Sequence, residues 1–122
     1  MTTDEAFIAE LRAAILGDAL NLYLKMIGEK KPATVQDAGW RAFIEWVQTN
    51  GPQGMAAARA VIRQVMCDTM SNTLAVFDGS SNLATMREDI VILYGGYDGQ
   101  EIQDNLTDYF WEQELEEEEA QN

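Results

Sequence analysis

From Thr3 to Phe77 the apolar residues recur every three or four positions, with only two breaks. That period admits helices and little else. The first helix is expected from about Thr3 to Gly28, opened by Thr2 and Glu5 at capping-box spacing. Phe7, Ile8, Leu11, Ile15, Leu22 and Met26 form one apolar stripe; Leu16, Leu20, Leu24 and Ile27 form a second. Only a narrow polar face remains, carrying Glu10, Arg12, Asp18, Asn21 and Lys25. A helix apolar over most of its circumference is central in the core or lies at a subunit interface. Central burial is the simpler expectation, and a homodimer through Leu16, Leu20 and Leu24 is the alternative.

GEKKPA closes this helix, with Gly28 as C-cap, lysines favoured by the dipole, and Pro32 unable to continue the turn. Thr34 with Asp37 marks the next start, and a second helix is predicted over about 35–49. Trp40, Phe43, Ile44 and Val47 face inward and Trp46 falls off the stripe, partly exposed. Asn50-Gly51 is the second break, and Pro52 opens a third helix to Phe77. Its broad apolar face runs from Met55 and Ala58 through Val61, Ile62, Val65 and Met66 to Met70, Leu74 and Phe77. Cys67, the single cysteine, sits within that stretch and is expected buried and inert.

After the turn residues 78–82 the pattern changes. Asp89–Tyr94 is short and β-branched, which predicts a strand. Gly95-Gly96 ends it, Tyr97-Asp98-Gly99 offers a turn, and Gln100–Gln103 offers a return strand; Asn82–Met86 is the other candidate partner. Asp104 is placed to cap a final helix from Asn105 to about Glu117, with Leu106, Tyr109, Phe110 and Leu115 inward and Trp111 beside them. The fold class is therefore α+β and mainly helical: three N-terminal helices, a small β-hairpin, then an acidic C-terminal helix. A single domain is expected, with residues 1–80 as a helical body and 81–122 as hairpin, acidic helix and tail.

Charge separates those two parts. The chain carries 21 acids and 8 bases, a net of −13. Residues 1–87 hold nine acids and all eight bases, so twelve acids and no base fall in residues 88–122. On the last helix Asp104, Asp108 and Glu112 repeat every four residues, where like charges repel. Glu116–Glu119 also meet the negative end of the helix dipole, so that end should fray unless something basic covers it.

Several function classes drop out. There is no histidine, so Ser-His-Asp and Cys-His catalysis and imidazole metal sites are unavailable within the chain. Asp98-Gly-Gln-Glu101-Ile-Gln-Asp104 offers hard oxygens but lacks the alternating acids of a calcium loop. No enzyme activity, cofactor or metal is expected. The strong negative charge argues against direct nucleic-acid or membrane partners. The start MTTDEAFIAEL has acids where a secretion signal has bases, so a cytoplasmic location is expected.

What remains is recognition. A terminal run of acids is most simply a solubilising tail. Here Tyr94, Tyr97, Tyr109, Phe110 and Trp111 are interleaved with the acids, a composition suited to an interface. The expected function is a non-enzymatic module, of inhibitor or immunity type, that binds a basic protein surface through Asp98, Glu101, Asp104, Asp108, Trp111 and Glu112. The alternatives are a nucleic-acid mimic and a structural or assembly subunit.

Overall fold

A computed structural model of the chain describes residues 1–79 and 90–121. It is mainly helical with one antiparallel hairpin, the expected α+β class. Helix α1 spans Thr3–Arg12 and continues through a π-helical segment, Ala13–Ala19, into α2, Leu20–Glu29. A 3-10 turn at Pro32–Thr34 precedes α3, Ala38–Thr49, and α4 runs from Gly51 to Phe77. Strands β1, Leu93–Tyr94, and β2, Gln100–Glu101, lead to α5, Leu106–Gln121. The expected turn over 78–82 leaves the described residues after Gly79. The alternative strand Asn82–Met86 and the start of the expected strand at Asp89 also lie outside them.

The chain divides into two units. One is Ala14–Cys67; the other joins Met1–Ala13 to Asp68–Asn122. In the first, Leu20, Leu24 and Ile27 of α2 pack with Val35, Ile44 and Val47 and with Ala58 of α4. Trp40 and Phe43 stack at 5.5 Å against this core. The Gln48 amide donates to the carbonyls of Ile27 and Lys30, at 2.9 and 2.7 Å, and so satisfies acceptors that the end of α2 leaves orphaned. Gly54 is buried where α4 begins. A Cβ there would collide with the Val47 carbonyl oxygen of α3 and lie 3.0 Å from Asn50 Cβ.

Three expectations are corrected in this unit. Leu16, Leu20 and Leu24 are buried within the chain, so they offer no exposed stripe for a homodimer. The π segment explains which stripe goes inward. Its i→i+5 turns wind less per residue than α turns, so they shift the phase of the helix that follows. Ile8 of the first stripe is buried before the segment, and the second stripe is buried from Leu16 on, while Leu22 is 69% exposed. Second, Asp37 rather than Thr34 caps α3, accepting the Trp40 N–H at 2.7 Å; the Thr34 hydroxyl is turned to the Lys31 carbonyl. Third, Val61 and Val65 are exposed, so the inward face of α4 is narrower than its apolar residues suggest. Trp46 is exposed and Cys67 buried, as expected.

In the other unit α1 packs against α5. Ile8, Met70, Leu74, Ile102, Leu106 and Phe110 supply its buried apolar side chains. The hairpin pairs Leu93 with Glu101 and Tyr94 with Gln100, so the return strand is the one following the glycines. Gly95 and Gly96 hold φ of 98° and 87°, which a side chain would strain, and they turn the chain at that point. The strands are shorter than expected. Beyond their ends Gln103 takes over the pairing: its amide accepts from Ile92 N–H at 2.8 Å and donates to the carbonyls of Ile90 and Phe77.

Candidate interaction surface

Helix α5 carries seven acids and no base, so its docking needs an explanation. Its first turn is held from a distance. Asp78, at the end of α4, accepts the N–H groups of Leu106 and Thr107 at 3.1 and 2.9 Å and the Thr107 hydroxyl at 3.0 Å. Asp104, expected as the cap, instead takes a left-handed φ of 80° in the exposed link. The N-cap work is done by a residue brought in by the fold. Asp78→Ala is expected to cost about 1–2 kcal/mol, as for other N-cap deletions. Urea denaturation reads the cost, and faster amide exchange confined to the first turn of α5 locates it.

The C-terminal half is held by Arg12. Ile8 and Arg12 are one turn apart, so the guanidinium follows Ile8 into the interior, where it is 3% exposed. Its Nη2 lies 2.9 Å from Glu114 Oε1 and 3.0 Å from Glu117 Oε1. Its Nη1 donates to the Phe110 carbonyl at 3.3 Å, and its central carbon stands 4.9 Å from the Phe110 ring centroid. Gln113 adds a bond from its amide to the Glu5 carbonyl. A basic group thus covers the end of α5 that was expected to fray, and the helix runs to Gln121. Arg12 does not belong to the exposed polar face, and Glu114 does not belong to a free tail.

The remaining acids of α5 face water: Asp108, Glu112, Glu116, Glu118 and Glu119 are exposed. At about 100° per residue, Asp108, Trp111, Glu112, Leu115 and Glu119 share an outward arc of roughly 100°. Leu115, expected inward, is 57% exposed in the middle of this arc. Trp111 is 38% exposed at its edge. Its indole N–H donates to Ser71 Oγ at 2.9 Å and its ring meets Phe110 edge-on at 5.1 Å, so the ring is fixed while part of it meets solvent.

The six residues singled out from sequence are all exposed but lie on different elements. Asp108, Trp111 and Glu112 fall on the one arc of α5. Glu101 is on β2, Asp98 is in the hairpin turn beside the fully exposed Tyr97, and Asp104 is in the link. Sequence reasoning missed Leu115 as a surface residue and Arg12, Asp78 and Glu114 as the residues that position the arc. A usable signal existed for Arg12 alone, since it is four residues from Ile8 on an apolar stripe.

Among the described residues no group of three or more His, Cys, Asp or Glu is placed to hold a metal ion. No helix among them is long and apolar enough to cross a membrane. Among the described residues, an open groove of about 480 Å³ is lined by Thr69, Asn72, Thr73, Val76, Phe77 and Ile90, none of them titratable. No protein family, curated protein or solved structure matches the chain.

Proposed function

We propose that this protein is a non-enzymatic binding module that docks the outward face of α5 on a basic protein surface. The observation that supports this reading is the mixed character of that face: exposed Trp111 and Leu115 lie among carboxylates with no base on the same helix. Charge steers the encounter and rejects wrong partners, while a few large apolar groups supply most of the affinity. The interruption of the carboxylate row by Leu115 favours this over mimicry of nucleic acid, which calls for an unbroken series of charges in place of phosphates.

Capture of partners on the immobilised chain at low and high salt, with the charge-reversed double variant Asp108→Lys, Glu112→Lys as the control, tests the reading. A basic protein should be retained by the wild type at low salt, be released as salt rises, and be lost from the variant. Reversal of two charges in such a face is expected to slow association by about tenfold or more at low salt. Equal retention by both chains rules the reading out, and elution of the partner by DNA alone favours mimicry instead.

A further inference from the structure

We infer that the group this face selects is an arginine guanidinium, laid on the Trp111 ring and paired with Asp108 and Glu112. The inference rests on the binding reading above and narrows it from basic partners in general to arginine-bearing ones. The helix already holds one such group. Arg12 places its guanidinium over an aromatic ring, Phe110, and between two carboxylates one turn apart, Glu114 and Glu117. The same kinds of group recur on the outward side in a different order: the ring of Trp111 lies three residues after Asp108 and one before Glu112, whereas Glu114 and Glu117 lie four and seven residues after Phe110. Trp111 offers the ring, and Asp108 and Glu112 are two carboxylates one turn apart, on the same arc. Neither carboxylate pairs with a cation among the described residues.

Two features suit this site to arginine over lysine. The Trp111 ring is held by Ser71 and Phe110, so a flat cation meets a surface that is already ordered, at little entropic cost. A guanidinium is planar, stacks on indole and spans two oxygens with a rigid fork, whereas an ammonium is a strongly hydrated point charge that does neither. Leu115, one turn beyond Trp111, is exposed and offers apolar surface to the methylene stem of an arginine side chain.

Two short peptides, alike except that every basic position is arginine in one and lysine in the other, are titrated against the full chain by calorimetry. The arginine peptide is expected to bind about tenfold tighter, the scale of a partly desolvated cation–π contact. Trp111→Phe should reduce that preference without abolishing it, because it loses the Ser71 bond but retains a ring. Trp111→Leu should erase it, and Asp108→Asn with Glu112→Gln should weaken both peptides. Equal affinity of the two peptides for the wild type overturns the inference while leaving the binding reading standing, as does a preference that survives Trp111→Leu. Failure of both peptides to bind overturns the two together.

Discussion

Arg12→Met is expected to lower the unfolding free energy by about 3–5 kcal/mol, the usual cost of removing one member of a buried ion pair. The side chains of Arg12 and Glu114 are 3% and 9% exposed, so water cannot take over the pairing. The Glu117 contact is different: that side chain is 52% exposed, and a screened pair of this kind contributes at most about 1 kcal/mol. Most of the loss therefore comes from Glu114, with a smaller part from the guanidinium over the Phe110 ring. Glu114→Gln should cost less than Arg12→Met, because Arg12 then keeps Glu117 and the Phe110 carbonyl. The double variant Arg12→Met, Glu114→Leu should recover most of the loss, since apolar residues of similar size often replace a buried pair without penalty. Urea denaturation followed by far-ultraviolet circular dichroism measures all three. A loss under about 1 kcal/mol in Arg12→Met would mean that the pair behaves as a surface contact.

This network changes what the negative charge of the chain means. A tail that only keeps a protein soluble has no need of an internal cation. Here two of the seven acids on α5 are committed to Arg12, and the other five are left exposed by the same docking. Fixing Phe110 and Glu114 inward is what turns Asp108, Glu112 and Leu115 outward, because positions on one helix cannot move independently. The acidic face is in that sense a product of the Arg12 contact.

The elements that sequence disclosed are those whose cause is local. Ile44 and Val47 on α3, and Leu106 and Phe110 on α5, lie at helical spacing and are all buried. Gly95-Gly96 marks the hairpin because positive φ is a demand made at one position. The misses have causes distant in sequence. Asp104 stands where a local cap should stand, but the cap is Asp78, 28 positions before Leu106, and no short-range pattern records that meeting. Arg12 reads as a surface charge because its partners, Glu114 and Glu117, lie about a hundred residues away. Leu22 and Leu20 cannot be told apart by period alone, because the π segment between α1 and α2 resets the phase. For the candidate face, Asp108, Trp111 and Glu112 were legible from spacing and residue type. Leu115 was not, because an apolar residue near a predicted inward stripe is assigned inward by default.

Gly54→Ala should cost about 3 kcal/mol, at the upper end of what overpacking usually costs, although it adds one methyl group. A mid-helix Gly→Ala change ordinarily stabilises by up to about 1 kcal/mol, because it reduces the freedom of the unfolded chain. At Gly54 that gain is overridden. The new Cβ would collide with the Val47 carbonyl oxygen and stand 3.1 Å from the Val47 carbonyl carbon. Both atoms are backbone, so no side chain can turn away to make room, and Asn50 Cβ at 3.0 Å closes the other side. The strain has to be relieved by moving the end of α3 away from the start of α4. Val47 is fully buried on α3 and belongs to the core with Ile44, so that movement also disturbs packing. Gly17→Ala in the π segment is the internal control, since a Cβ there meets nothing within 4 Å. The two substitutions, made separately and compared by denaturation midpoint, should therefore have opposite signs. A Gly54→Ala variant as stable as the Gly17→Ala variant would show that α3 and α4 are not held as close as Val47 and Gly54 require.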